Sequence, residues 1–370
     1  MNNSFNNLVS LSQYVNAINK VLTDMQYNDV SHHPCEIQHQ LHEAYFLTAT
    51  YFARPGRIKD INLNKLQASI QSIVHMVVLS YPRASFEVKS ELCVYLTYMM
   101  LLDDGKGIST DAIDTFSEDL IHGSEQKHVL WRSVNDHLPD LLKHYGPFCS
   151  LSIFRSTLDF FQGCWIDQHN FQGYPGSHNY PDFLRRLNGL GQYIGASLFP
   201  KQDFDENKHF AEIITVIAEM EQWEIHVNDL LSFYKESFDV DEQANLIVNF
   251  AYCTGVSTQD SFSRLTTSIA ASGKALTTIL MNKAPKMQGV VTAFMQGYVT
   301  WHLTNPRYRI GELVEQVDKL RLDGNEQLCK VWKAAMDVGD VDPKLWATPS
   351  LQDMMEEIKC TETQLPLKLS

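Results

Sequence analysis

From Lys201 to Thr254 the chain contains neither glycine nor proline. A stretch that long without a breaker favours helix, because interior Gly and Pro are the residues that cost an α-helix most. The pattern recurs elsewhere. Between Lys65 and Tyr81, the residues Leu66, Ile70, Ile73, Val74, Val77, Val78 and Tyr81 repeat at the three- and four-residue spacing of one helix face, and Pro82 closes the segment. Strand-like alternation bounded by turn residues is hard to find. The expected fold class is therefore all-α. Turn signals fall at 105–109, at 173–176 and at Asn305-Pro306, and periodicity fades near the C-terminus. With no repeat and no low-complexity linker, we expect a single domain over residues 1–350 and a flexible C-terminal tail over 351–370.

Charge and cysteine usage narrow the function classes. Thirty Lys and Arg stand against 44 Asp and Glu, a formal net charge of −14. The basic clusters are no larger than pairs such as Arg185-Arg186, which is too little for a nucleic-acid surface. The seven cysteines include no CxxC pair, so neither a disulfide framework nor a zinc ribbon is expected. The N-terminus lacks a basic stretch ahead of an apolar run, and no segment approaches the ~20 apolar residues of a membrane span. A cytoplasmic protein with no membrane span is the expectation.

Two acidic constellations carry the chemistry. In YLTYMMLLDDGKG, Asp103 falls four residues after Met99 on the stripe of Leu92 and Leu96, so a carboxylate is aimed at the core. Buried carboxylates need a pairing charge or a metal, and Gly105 and Gly107 then end the helix, which sets Asp103 and Asp104 at a cavity rim. The alternative is a pair that turns to solvent at a frayed helix end. Within the breaker-free stretch, Asn228, Ser232 and Glu236 are spaced four and four, so an amide oxygen, a hydroxyl and a carboxylate share one helix face. Hard oxygen donors with one full charge suit Mg²⁺, which keeps waters and takes further ligands from a phosphate. Ile214, Ile217 and Ile225 lie on roughly the same stripe, which directs this face to the core. The alternative is a polar stripe satisfied by neighbouring helices.

Arg185, Lys235, Lys106 and Arg307 with Tyr308 could donate to phosphate oxygens, provided that they converge on the acidic faces. Phe154, Phe160, Phe161, Trp165 and Trp301 are core residues by default, but lining a cavity they could stabilise a bound cation. The segment SHHPCEIQHQLHE, with Cys35, His39 and His42, matches no standard zinc spacing and reads as a half-exposed helix. The glycines of NGLGQYIG follow no strand, so they mark close helix packing or a helix break and not a dinucleotide fingerprint.

The aspartate-rich helix end followed by NDLLSFYKE resembles the class I terpene synthases, and within them the fungal trichodiene synthase family of secondary metabolism. LQASIQSIVHMVVLSY, the run GPFCSLSIFRSTLDFFQGCWIDQHNFQGYPGSHNYPDFLRRLNGLGQYIGASLFP and GYVTWHLTNPRYR extend the likeness over Leu41 to Pro349. The resemblance implies a helical bundle around an apolar cavity that binds three Mg²⁺ ions and farnesyl diphosphate, with pyrophosphate released on cyclisation. It implies metal binding by Asp103, Asp104, Asn228, Ser232 and Glu236. Catalytic positions would be Asp103, Arg185, Lys235, Arg307 and Tyr308, and Tyr98, Phe160 and Trp301 would join the last four in holding substrate. A homodimer is compatible with it. The family carries DDSKD where this chain has DDGKG, and Leu96 replaces a tyrosine. The product is thus expected to be trichodiene or a related sesquiterpene. The rival readings are a chain-lengthening prenyltransferase, which normally carries two aspartate-rich motifs, and a non-catalytic helical relative.

Overall fold

A computed structural model of the chain describes residues 8–29, 34–57, 61–104, 110–238, 245–322 and 324–364. Among these residues there are helices and turns but no strand. In chain order the α-helices are α1 (Leu11–Asp24), α2 (Pro34–Ala53), α3 (Leu63–Ser80), α4 (Phe86–Asp103), α5 (Thr110–Asp114), α6 (Phe116–His122), α7 (Val129–Leu142), α8 (Pro147–Asp167) and α9 (Tyr180–Asn188). They continue with α10 (Gly191–Ser197), α11 (Phe210–Glu236), α12 (Leu246–Thr254), α13 (Thr258–Ile279), α14 (Pro285–Thr304), α15 (Ile310–Leu320), α16 (Asn325–Gly339) and α17 (Leu351–Gln364). Short 3₁₀ turns occupy Pro306–Tyr308 and Pro343–Leu345. The expected helix over Lys65 to Tyr81 is α3, and the breaker-free stretch supplies α11 and α12.

By contact the chain forms two compact units. The first comprises Met1–His32, Leu79–Arg83 and Leu142–Asp340. Its central element is α11, which packs against α10, α13, α14 and the 306–308 turn. From Trp223 to Tyr234 every residue of α11 except Asn228 is buried, the signature of a helix enclosed on all sides. Close approach is set by α10. A Cβ on Gly191 would stand 2.4 Å from the Glu221 carbonyl oxygen, and one on Gly195 would stand 2.9 Å from the Ile217 Cα. The glycines of NGLGQYIG are thus a packing surface for α11. The N-terminus of α8 is held by Glu206, whose two carboxylate oxygens accept from the Phe148 and Cys149 N–H groups at 2.9 and 2.8 Å.

The second unit comprises His33–Val78, Ala84–Leu141 and Val341–Ser370. Here α2 packs against α4 and α17. The expected tail over 351–370 is corrected for the described part: 351–364 form α17, with Leu351 and Met354 buried. Ser350 and Asp353 form a reciprocal cap at its start, the Asp353 N–H donating to Ser350 Oγ at 3.2 Å and the Ser350 N–H to Asp353 Oδ2 at 3.2 Å. The Leu351 N–H donates to Gln67 Oε1 at 2.9 Å, and Trp346 packs edge-on against Tyr45. Docking of a few apolar residues holds this segment, a signal too sparse to show as periodicity.

Candidate active site

The polar stripe on α11 begins one turn earlier than the sequence motif, at Glu224, and continues through Asn228, Ser232 and Glu236. Ser232 is buried, and its Oγ has no hydrogen-bond partner; Asn228 and Glu236 are half-buried. Hydroxyls in helices usually bond to a carbonyl or a neighbour when buried, so an isolated one on a stripe of oxygen donors fits a ligand set. Ile217 and Ile225 are buried as expected, but Ile214 is 40% exposed, because it lies in the first turn and a half of α11, before the helix enters the core.

Arg185, in the last turn of α9, reaches this stripe. Its Nε donates to Asp229 Oδ1 at 2.7 Å, Nη2 to Asn228 Oδ1 at 3.1 Å and Nη1 to Asn188 Oδ1 at 3.2 Å. Asn188 is in turn fixed by donating to Asp167 Oδ2 at 2.6 Å. Burial disfavours the charged guanidinium, but the carboxylates of Asp229, Glu224 and Glu236 outweigh it and raise the Arg185 pKa above its ordinary value. The cation is therefore permanent and pre-aimed.

Across the stripe stands α14. Asn228 Nδ2 lies 3.2 Å from His302 Nε2, and His302 Nδ1 lies 2.8 Å from the Tyr298 carbonyl oxygen. Burial pushes the His302 pKa down to about 3, so the ring is neutral near pH 7. One turn back, the Tyr298 hydroxyl donates to Glu224 Oε1 at 2.5 Å. Burial pushes Glu224 up to about 7, against the lowering pull of the Tyr298 hydrogen bond and of Arg185. Asn305 caps the turn that follows α14, its Oδ1 accepting from the Arg307 N–H at 3.0 Å. That turn packs on α11, with Tyr308 buried against Trp301 and His302 at ring-centroid distances of 5.0 and 4.2 Å. Arg307 is half-buried.

In the second unit, Asp103 is the last residue of α4 and Asp104 its C-cap. Leu92, Leu96 and Met99 are buried as expected, whereas Asp103 is exposed. The core-directed reading of Asp103 is corrected: the stripe ends with the helix, and the last side chain clears the packed layer. Lys65 Nζ donates to the Asp104 carbonyl at 2.6 Å. Two acids at a helix C-terminus with no basic residue in the last turn oppose the helix dipole. Gly105, Lys106 and Gly107 lie outside the described residues. Tyr98 is fully buried in a ring cluster with Phe52 and Tyr51, at centroid distances of 4.8 and 6.2 Å. His39 pairs with Glu43 at 3.8 Å and His42 Nδ1 lies 2.9 Å from the Trp346 carbonyl oxygen, both on the exposed side of α2.

A cleft of about 580 Å³ opens between α9 and α11, lined by Asp182, Phe183, Arg185, Arg186, Glu221 and His226 among others. Its charged walls, with Asp182 paired to Arg264 at 2.6 Å, do not suit a hydrocarbon, and Asn228, Ser232 and Glu236 are not among its lining. Among the described residues no group of three or more His, Cys, Asp and Glu could hold a metal ion. A mixed amide, hydroxyl and carboxylate set is therefore the donor group that the first unit presents.

The family model for trichodiene synthase (TRI5) matches residues 9–364. The chain belongs to the trichodiene synthase family. It is 42% identical to the trichodiene synthase of Fusarium acaciae-mearnsii over 343 residues, which span 92% of each chain. The trichodiene synthases of Fusarium sporotrichioides and Gibberella zeae are 41% and 42% identical over the same coverage. Among solved structures, the linalool/nerolidol synthase from Streptomyces clavuligerus superposes with a TM-score of 0.54 at 14% identity, covering 71% of this chain and 96% of that one. That likeness carries the fold: all-α, of the class I terpenoid synthase type. Membership of the trichodiene synthase family makes the chain a terpene cyclase, and the match extends beyond Leu41 to Pro349 at both ends. No helix among the described residues is long and apolar enough to cross a membrane.

Of the residues that the sequence singled out, the first unit brings Arg185 onto Asn228, and Tyr308 with Trp301 onto the same cluster through His302. Ser232 and Glu236 share the Asn228 face; Lys235 is half-buried in the last turn of α11, and Phe160 is buried on α8. Asp103, Asp104 and Tyr98 belong to the second unit. Sequence reasoning missed Asp229, Glu224, Asn188 and His302. Glu224 was within reach, since it stands four residues before Asn228; the others are recognised only by what they touch.

Proposed function

We propose that this chain is a Mg²⁺-dependent sesquiterpene synthase that ionises farnesyl diphosphate and cyclises the cation to trichodiene or a related skeleton. The observation that carries the reading is Ser232: a buried hydroxyl oxygen without a hydrogen-bond partner, on one helix face with Asn228 and Glu236, in a member of the trichodiene synthase family. Asn228, Ser232 and Glu236 fit a hard cation, all being oxygen donors, and Asp103 and Asp104 of the second unit are proposed as acidic metal ligands. Three ions are part of the proposal. Magnesium, when bound, supplies positive charge against the departing diphosphate.

The chain's own side chains do the rest. Arg185 arrives charged and oriented by Asp229 and Asn188, so it can donate to diphosphate oxygens without reorganising. Lys235, Arg307 and Tyr308 add donors, which a protein of net charge −14 needs locally to bind a polyanion. Heterolysis of the C–O bond leaves an allylic cation, and Tyr98, Phe160 and Trp301 are assigned to the hydrocarbon, where aromatic faces stabilise positive charge and exclude water. A single catalytic domain over residues 1–350 is part of the proposal, supported by the unbroken family match over residues 9–364. A reducing cytoplasm suits cysteines that form no disulfide among the described residues.

The test is incubation with farnesyl diphosphate, with and without Mg²⁺, following pyrophosphate release and identifying the hydrocarbon by mass spectrometry. Mg²⁺-dependent release with a cyclic C15 product is expected. No release at saturating Mg²⁺ would sink the proposal, and chain elongation when isopentenyl diphosphate is added would replace it with the prenyltransferase reading.

A further inference from the structure

His302 sits near the C-terminal end of α14, fully buried, and nothing in the metal or diphosphate motifs assigns it a task. Its surroundings define its protons. Nδ1 faces the Tyr298 carbonyl oxygen at 2.8 Å, and a carbonyl only accepts, so Nδ1 carries the hydrogen and Nε2 presents a lone pair. The atom 3.2 Å from Nε2 is Nδ2 of Asn228, a donor. On its other side Asn228 turns Oδ1 to Arg185 Nη2 at 3.1 Å, and a guanidinium only donates. Both neighbours therefore demand the same orientation of the amide. A flipped amide would set NH₂ against guanidinium and carbonyl oxygen against the imidazole lone pair, two repulsive contacts in place of two hydrogen bonds.

We propose that His302 is a positioning residue: its Nε2 lone pair holds the Asn228 amide so that Oδ1, and not NH₂, is offered to a divalent cation. The proposal rests on the reading of Asn228 as a metal ligand. An amide differs from the carboxylate and hydroxyl ligands in having one useless end, so it alone needs an outside group to choose its face. Oδ1 keeps a second lone pair beside the Arg185 bond, so the Arg185 contact and ligation are compatible. The same imidazole packs on Tyr308 at 4.2 Å and edge-on to Trp301 at 4.6 Å, which ties the orientation of the ligand to the turn that carries Arg307 and Tyr308.

The experiment compares wild type, His302→Phe, His302→Gln, Asn228→Ala and the double variant Asn228→Ala/His302→Phe. Phe keeps the ring against Tyr308 and removes the acceptor; Gln can return an acceptor oxygen. The readouts are calorimetric titration of Mg²⁺ into protein with inorganic pyrophosphate, and kcat against the KM for Mg²⁺. We expect His302→Phe to raise the Mg²⁺ concentration required about 5- to 10-fold, the size of one lost hydrogen bond, with kcat at saturating Mg²⁺ changed less than about 3-fold. His302→Gln should recover most of the loss, and His302→Phe should add nothing in the Asn228→Ala background. A folded His302→Phe with wild-type Mg²⁺ demand, beside an Asn228→Ala that is impaired, overturns the positioning role alone. Wild-type demand in Asn228→Ala overturns the ligand reading beneath it. If His302→Phe fails to fold by circular dichroism, His302→Asn, too short to reach Asn228, takes its place with the same expectation and the same overturning result.

Discussion

Ser232 and Glu224 lie two turns apart on α11, and burial has opposite consequences for them. The Ser232 hydroxyl makes no hydrogen bond, so Ser232→Ala removes no native partner and should shift stability by less than about 1 kcal/mol in thermal melts. The same variant should require several-fold more Mg²⁺ for turnover. Unchanged Mg²⁺ dependence would mark the hydroxyl as a bystander. Glu224 is a carboxyl raised from 4.5 to about 7 in the folded protein. A raised carboxyl pKa means that the native state binds the proton more tightly, so its stabilising effect is complete below pH 4.5 and disappears as pH rises through 7. Glu224→Gln, a mimic of the protonated form, should match wild type near pH 4 and exceed it by up to about 3 kcal/mol above pH 7 in metal-free urea melts. His226 and His302, both lowered to about 3, give wild type the reverse slope between pH 3 and 6.5, so the difference between the two proteins is the quantity to follow.

Helices impose a second set of constraints. Gly191 lets α10 approach α11 so closely that a Cβ would meet the Glu221 carbonyl at 2.4 Å, and neither backbone can yield without displacing the helix that carries Asn228, Ser232 and Glu236. Gly191→Ala should therefore destabilise by about 1–3 kcal/mol and depress activity beyond what the loss of folded protein explains. Gly255→Ala is the useful contrast: its φ of +73° strains a side chain, but no atom lies within 4 Å, so about 1 kcal/mol and normal kinetics are expected. At α8, the Glu206 carboxylate satisfies two N-terminal N–H groups from a position 8% exposed. Removing it as Glu206→Ala leaves those donors in the core and should lower the urea midpoint by the equivalent of about 2 kcal/mol.

At the scale of the whole molecule, the acidic balance has a direct consequence for ligand binding. A chain of net charge −14 repels a diphosphate, so pyrophosphate alone should bind poorly, and Mg²⁺ alone should find only partial ligand sets. Together they should bind cooperatively. Thermal melts with Mg²⁺, with pyrophosphate and with both should show a shift of several degrees only for the pair, since a ligand at a hundred times its Kd adds about 2.7 kcal/mol. Equal shifts for pyrophosphate with and without Mg²⁺ would contradict a metal-assisted site.

The helical class, the span of α3 and the run that becomes α11 were legible because periodicity and the absence of breakers are local properties, and α-helices close their hydrogen bonds locally. The four-residue spacing of Asn228, Ser232 and Glu236 was legible for the same reason. What no spacing could supply were the contacts between elements. The turn of Arg185 onto Asn228 and Asp229, the lone pair of His302 on the far side of the amide, and the docking of Leu351 and Met354 beneath a supposed tail each join residues far apart in the chain. Asp103 shows the limit from the other direction, since a stripe continued on paper to the last residue of a helix says nothing of whether anything packs over it. Residue type and interval set which face a side chain can occupy; only packing decides what stands opposite it, and so whether an amide turns its oxygen or its nitrogen to the site.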